Sequence, residues 1–221
     1  DVLEMLHRFD TVTRLKLADV VSHQVDGNTR ADRIEEADRL YREEPTALNG
    51  TPLLSFGVPA LRDIGRQIRL PLQVRHSARY PEPLAEMAFA GGATAFEGGP
   101  ICYNVPYYKD LALTESLHHW RYVDRLCGLY VERYGVIIDR EYFGTLTATL
   151  IPPALAIAID IIEAMVAGEQ GVRCVTLGYA EQGHREQDVA AIRVAQRLVE
   201  RMLHHRFPSM QVSTVFCQYM A

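Results

Sequence analysis

Ala93-Thr94-Ala95-Phe96-Glu97-Gly98-Gly99-Pro100-Ile101-Cys102-Tyr103-Asn104-Val105-Pro106-Tyr107 is the stretch from which the fold is read. Four residues suited to a buried strand run straight into a carboxylate, a glycine-rich bend and two tyrosines. An acid and two phenols at the end of a buried strand are the arrangement of an α/β protein, in which ligand-binding side chains gather beyond the carboxyl ends of parallel strands.

Working outward, short strand-like runs alternate with longer segments of helical period. Residues 17–22, 47–49, 72–75, 93–96, 136–138, 174–178 and 211–216 carry the strand signal. Between them Leu113, Leu117, Trp120, Val123, Cys127 and Tyr130 recur at three- and four-residue steps, as do Val189, Ile192, Gln196, Val199 and Leu203. Pro59 is placed to open a helix through Leu61, Ile64 and Ile68. Gly168 and Gly171 are placed to close one that begins near Pro153. Such alternation predicts parallel strands with right-handed crossovers, either closed into a barrel or wound into an open sheet. The barrel is favoured: no Gly-x-Gly-x-x-Gly follows the first strand, and polar residues stand after several different strands. With 221 residues and no low-complexity linker or internal repeat, one domain covering 1–221 is expected.

The formal net charge is −5 and the basic residues are scattered, so no phosphate-tracking surface, and hence no nucleic-acid partner, is indicated. Lys16 and Lys109 are the only lysines, which leaves few candidates for Schiff-base chemistry. Cys102, Cys127, Cys174 and Cys217 are widely separated and make neither a disulfide framework nor a zinc motif. No metal site is expected from His118-His119 or His204-His205, since adjacent helical residues cannot both face one ion. The most hydrophobic stretch, residues 150–168, contains Pro152, Pro153, Asp160 and Glu163, so it reads as a buried helix of a soluble, cytoplasmic protein with no membrane partner.

The polar strand ends define the candidate site. Asp26 and Arg30 follow the first strand, Asn49 the second, Arg75 and His76 the third, and Glu97, Tyr103 and Tyr107 the fourth. In a barrel these converge on one mouth. Two guanidinium forks and one carboxylate would suit a substrate with two anionic groups and an ammonium, which describes an acidic amino acid. Each residue also has a structural reading. Arg30 and Arg75 can be ion-pair residues, the two tyrosines can be packing around a turn fixed by Pro106, and Asp124-Arg125 reads as a helix-surface pair. Arg140-Glu141 can belong to the mouth or form a loop salt bridge. Glu97 with Glu141 could also act as paired carboxylates on a sugar.

Several blocks together resemble a known family. They are Asp26-Gly-Asn-Thr-Arg30, Leu48-Asn-Gly50, Leu70-Pro-Leu-Gln-Val-Arg-His76, the Glu97 to Tyr107 block, Thr149-Leu-Ile-Pro-Pro153, Glu169-Gln-Gly-Val172 and Thr214-Val-Phe-Cys-Gln-Tyr-Met220. In order and spacing the chain is similar, along essentially its whole length, to the large (epsilon) subunit of adenosylcobalamin-dependent glutamate mutase, also called methylaspartate mutase. The resemblance implies a TIM-type (β/α)8 barrel, covered in part by this chain as its central portion. It implies interconversion of L-glutamate and (2S,3S)-3-methylaspartate by a radical carbon-skeleton rearrangement. The cofactor would be adenosylcobalamin (coenzyme B12), its cobalt ligated through a small cobalamin-binding (sigma) subunit, in a heterotetramer of two large and two small subunits. By the same resemblance Arg30 and Arg75 grip substrate carboxylates, Glu97 is catalytic and pairs with the amino group, and Tyr103 and Tyr107 line the substrate. Asn49 and Pro106 approach the adenosyl ribose.

The sequence departs from the family pattern at identifiable places. The first of three substrate-gripping arginines precedes the segment matching Asp1, and the adenosyl-gripping lysine and glutamate follow the segment matching Ala221. Pro100 and Cys102 stand where a glycine and a serine are expected, and Phe96 where a polar residue is expected. The alternative is a diverged or truncated barrel that binds an acidic amino acid, or docks a partner, without turnover.

Overall fold

The computed structural model describes residues 11–68, 70–108, 110–142, 144 and 148–218. Lys109 and residues 219–220 of the last matching block lie outside them. The chain divides into two compact units, Asp1–Phe96 and Glu97–Ala221.

In the first unit, β1 (Val21–Gln24), β2 (Leu72–Arg75) and all but the last residue of β3 (Ala95–Glu97) are the strands. Val21 pairs with Leu72 and Gln73 with Ala95, both in parallel. Parallel neighbours need a long crossover. From β1 to β2 it is α1 (Gly27–Arg30), α2 (Ile34–Glu43), a 3₁₀ turn at Pro45–Ala47 and α3 (Leu53–Gln67); from β2 to β3 it is α4 (Glu82–Ala90). Within α2, Ala37 and Leu40 face inward while Arg39 pairs with Glu36 and Glu43 in water at 2.8 and 3.0 Å. Gly57, at φ 72°, interrupts α3, and Pro59 opens the straight part as its fixed φ favours. Ile64 and Ile68 then pack with Val21 and Leu72 as the helical period predicts. Phe89 of α4 meets Phe96 of β3 edge to face at 5.5 Å.

In the second unit, β4 (Asp139–Tyr142), β5 (Cys174–Ala180) and β6 (Gln211–Cys217) are parallel, with Asp139 beside Cys174 and Cys174 beside Gln211. The helices are α5 (Asn104–Tyr107), α6 (Leu113–Tyr134), α7 (Pro153–Glu169) and α8 (Arg185–Arg206). Trp120, Val123 and Cys127 of α6 are buried at the expected spacing, but Ser116 and Asp124 share their face. Strand and helix alternate in both units, so the α/β class holds.

Three sequence expectations are corrected. Residues 47–49 are not a strand: Pro45 starts a 3₁₀ turn, and only Thr51 makes a single parallel bridge, to Val25. The strand expected at 136–138 begins after it, at Asp139, because Val136 and Ile137 are exposed and apolarity alone misplaced the start. In α8 the buried face is Ala191, Ala195, Val199 and Leu203, with Val189 exposed, so the small alanines and not the larger Val189 and Ile192 meet the sheet. Among the described residues no helix is long and apolar enough to cross a membrane.

Candidate functional site

The Glu97–Tyr107 block is fixed to its own unit at nearly every residue. Gly98 has φ 101°, a conformation other residues rarely adopt, and turns the chain sharply after the carboxylate. Its N–H donates to the Glu141 carbonyl at 2.8 Å, and its carbonyl accepts from Arg140 Nη2 at 2.6 Å. The Pro100 carbonyl accepts from Ser116 Oγ at 2.8 Å. The N–H groups of Ile101 and Cys102 donate to one oxygen of Glu163, at 2.6 and 2.9 Å. A backbone held directly after Glu97 presents that carboxylate in one place.

Glu97 itself is buried and accepts a hydrogen bond from the Tyr103 phenol. Burial first, and then the neighbouring Glu97 charge, push the Tyr103 phenol well above its ordinary range, so it acts as a neutral donor. The Tyr103 ring meets Trp120 at 6.0 Å and Tyr107 at 5.5 Å, both edge to face. Tyr107 is 50% exposed and Pro106 half-buried, so the block runs from a dry interior to an open face.

Behind this block stands a group of buried charges. Arg140 is wholly buried, donates from Nε to Asp124 Oδ1 at 2.8 Å, and lies 4.8 Å over the Trp120 ring. Burial pushes the Asp124 carboxyl up while Arg140 pulls it down. Burial likewise raises Glu163 to about 7, against the lowering effect of its two backbone donors, and raises Asp160 well above its ordinary value, helped by the charge of Glu163. The Cys102 thiol is also raised, by burial and then by Glu163, so it is an inert neutral thiol. The surface pair expected at Asp124-Arg125 is therefore corrected: Asp124 turns inward to Arg140, and Arg125 pairs in water with Glu132 at 2.7 Å. Arg140 is in a strand and buried, not in a loop.

The other strand ends gather in the first unit. Asp26 caps α1, accepting at Oδ1 from the N–H groups of Asn28 (2.9 Å) and Thr29 (3.1 Å), while the Thr29 hydroxyl donates to Oδ2. Asn49 Oδ1 accepts the Gly27 N–H at 2.7 Å. Arg30 reaches from α1 to Ser77 Oγ at 3.1 Å, and its buried Nε has no hydrogen-bond partner among the described residues. Arg75 ends β2 half-buried, its carbonyl accepting from Val25 N–H at 2.9 Å. His76 is buried, its Nδ1 accepting from Ala78 N–H at 3.1 Å. His23, which the sequence did not single out, is buried on β1 and pushed down to about 4 by that burial, so it is a neutral imidazole near Thr51.

Arg30, Asn49 and the turn after Arg75 are thus brought together in one unit. Glu97, Tyr103, Pro106 and Tyr107 come together in the other. Sequence reasoning missed Arg140, Asp124 and Glu163 as supports of Glu97. The signal in the sequence is the spacing of Asp160 and Glu163, three residues apart in the apolar stretch before Gly168. Among the described residues no cluster of histidine, cysteine and carboxylate side chains could hold a metal ion.

Comparison with known proteins matches residues 2–221 to the family model described as Methylaspartate mutase E chain. The chain is 45% identical over 207 residues to the glutamate mutase epsilon subunit of Halobacterium salinarum, covering 92% of this chain and 43% of that protein. It is 42% identical over 213 residues to that of Yersinia enterocolitica, covering 94% and 44%, and 36% identical over 221 residues to that of Fusobacterium nucleatum, covering 98% and 45%. The chain therefore spans less than half the length of these curated relatives, which are themselves named as subunits.

Proposed function

The chain belongs to the methylaspartate mutase E chain family, and on that premise we propose that it is the substrate-binding catalytic part of a B12-dependent glutamate mutase. The reaction is the interconversion of L-glutamate and (2S,3S)-3-methylaspartate by radical carbon-skeleton rearrangement. The chain forms the central portion of one TIM-type barrel domain and works in the cytoplasm with a small cobalamin-binding subunit, two large chains to two small ones. What supports this most is the Glu97 carboxylate: buried at a strand end, oriented by the Tyr103 phenol, and followed by backbone anchored to Arg140 and Glu163.

In this proposal Arg30 and Arg75 hold the two substrate carboxylates, for which the guanidinium fork is suited. Glu97 accepts from the substrate ammonium, and Tyr103, donating to the same carboxylate, keeps it from turning away. Tyr107 adds an aromatic wall. Holding both parts of a substrate that must separate and rejoin is an orientation task, and exclusion of water by the buried block serves it. Glu97 is also the acceptor for an ammonium proton as the migrating fragment forms. Adenosylcobalamin, when bound, supplies a carbon radical. Asn49 is exposed and Pro106 half-buried, which fits contact with an adenosyl group presented by another chain. The chain has no Asp-x-His-x-x-Gly motif, so its own histidines do not offer the expected cobalt ligand.

The direct test mixes a folded preparation of the relatives' full length with the small subunit, adenosylcobalamin and glutamate, and measures methylaspartate by chromatography. No product would sink the mutase proposal. Arg75→Ala should weaken glutamate binding by about 2 to 5 kcal/mol, the range for removing one partner of a buried charge pair. A second reading, binding of an acidic amino acid without turnover, is favoured by Phe96, Pro100 and Cys102, which depart from the family pattern beside Glu97. Calorimetric glutamate binding with no product under the same conditions would select it.

A further inference from the structure

One support of the Glu97–Tyr107 block has no part in the chemistry proposed above. Glu163 projects from α7, is 1% exposed, and accepts the N–H groups of Ile101 and Cys102 at a single oxygen, Oε1. Its other oxygen, Oε2, is buried and has no hydrogen-bond partner among the described residues. The loop is shaped around it, because a Cβ at Gly99 would lie 2.6 Å from Oε1. Two converging donors, an unpartnered buried oxygen and a glycine cradle are separate observations, and together they mark a side chain placed for this loop.

We propose that Glu163 is the positioning residue of the loop: its carboxylate holds Ile101 and Cys102, and so keeps Tyr103 against Trp120 and Glu97, and protonation of Glu163 loosens that hold. An ionised acceptor binds N–H groups more strongly than a neutral one. The groups that face Glu163 are Cys102 of the loop, Arg140 and Tyr142 of β4, and Asp160 of its own helix. Burial outweighs the attraction of Arg140 and brings the carboxyl to about 7, so near neutrality the anchor divides between its two forms. The anchoring stands on geometry alone. That loosening it weakens substrate binding rests on the glutamate mutase proposal.

Trp120 is the single tryptophan of the chain and touches Tyr103, so its fluorescence reports whether the loop is docked. That signal and the hydrogen-exchange protection of the Ile101 and Cys102 amides are measured between about pH 5.5 and 8.5, around the range where such a carboxyl would titrate. The parent, Glu163→Gln and Glu163→Ala are compared. In the parent both signals should change together near neutrality, with protection rising about tenfold toward alkaline pH, the order expected for gaining a charged acceptor. Glu163→Gln keeps the shape and an acceptor oxygen, so it should fold, show intermediate protection and lack the transition. Glu163→Ala should lose protection at these two amides. His118 and His119 adjoin Trp120 and are present in both the parent and Glu163→Gln, so what they contribute to the fluorescence cancels in the comparison.

A Glu163→Gln protein with the parent's full transition, or amide protection that neither substitution changes, overturns the proposal. If Glu163→Ala fails to fold, the parent and Gln profiles still decide it. Calorimetry with glutamate on the same proteins separates the two readings: a parent that binds no glutamate at any pH counts against the mutase function and leaves the loop result standing.

Discussion

Asp26 in the first unit and Glu163 in the second are both sealed from water, and both receive two backbone N–H groups, yet they are satisfied to different degrees. Asp26 has both oxygens engaged, one by the amides of Asn28 and Thr29 and the other by the Thr29 hydroxyl. Glu163 places both amides on one oxygen and leaves the other without a hydrogen bond among the described residues. The first arrangement builds a turn. The second leaves a carboxyl whose proton is held up to about 7, because uncompensated desolvation penalises the charged form. The ion pairs divide in the same way: in the first unit Arg39 pairs with Glu36 and Glu43 in water, whereas in the second Arg140 and Asp124 pair with no solvent between them.

The strongest way to break this contrast is to strand the buried cation. Asp124→Ala leaves the Arg140 guanidinium without its carboxylate, and unfolding in urea should show a loss of about 3 to 5 kcal/mol. A loss no larger than that of a surface pair would mean that water reaches Arg140 and that the dry interior described for the second unit is wrong.

The next effect is a pH dependence. The folded protein keeps the Glu163 proton to about pH 7, and the unfolded chain releases it near 4.5. Between those values the folded state binds more protons, so its stability is fully present below about 4.5 and is lost as pH rises through 7. At 1.36 kcal/mol per pH unit the loss is roughly 3 kcal/mol. Asp160 is raised by the same cause and adds the same sign. The measurement is therefore the urea midpoint of the parent relative to that of Glu163→Gln at about pH 5 and 8, which should fall as pH rises. Parallel curves would remove Glu163 as the source.

Asp26→Ala sharpens the comparison from the other side. It removes a helix cap, and chemical denaturation should register a loss of about 1 to 2 kcal/mol. Since Asp26 is wrapped by local donors and not by a distant charge, the loss should stay well below that of Asp124→Ala. Arg39→Ala sets the floor: both pairs are exposed, and thermal melting should be indistinguishable from the parent.

These differences explain how far the sequence could be read. The α/β alternation is legible because apolar period is written locally: the 72–75 run marks β2, and the spacing around Trp120 and Val199 marks two helices. The acid and phenols of the Glu97 block were visible for the same reason, since they follow a strand directly, and Glu97 and Tyr103 do meet. Arg140, Asp124 and Glu163 were not legible as supports. Their meaning lies in contacts 16 to 62 residues apart along the chain, and a charged residue in a strand or helix reads as surface until its distant partner is known. The strand expected at 136–138 failed for the related reason that burial there falls on Ile138, Arg140 and Tyr142, and one of those three is a cation.

Gly99 has a consequence for how this protein can change over generations. A methyl group there would fall 2.6 Å from Glu163 Oε1 and 2.9 Å from Tyr142 Cδ1. A lineage that enlarged residue 99 first would meet both side chains at once, whereas one that first shortened Glu163 would lose the acceptor for two amides. The permitted mutational paths are thus ordered, and positions 99, 142 and 163 should drift as a linked set or hardly at all.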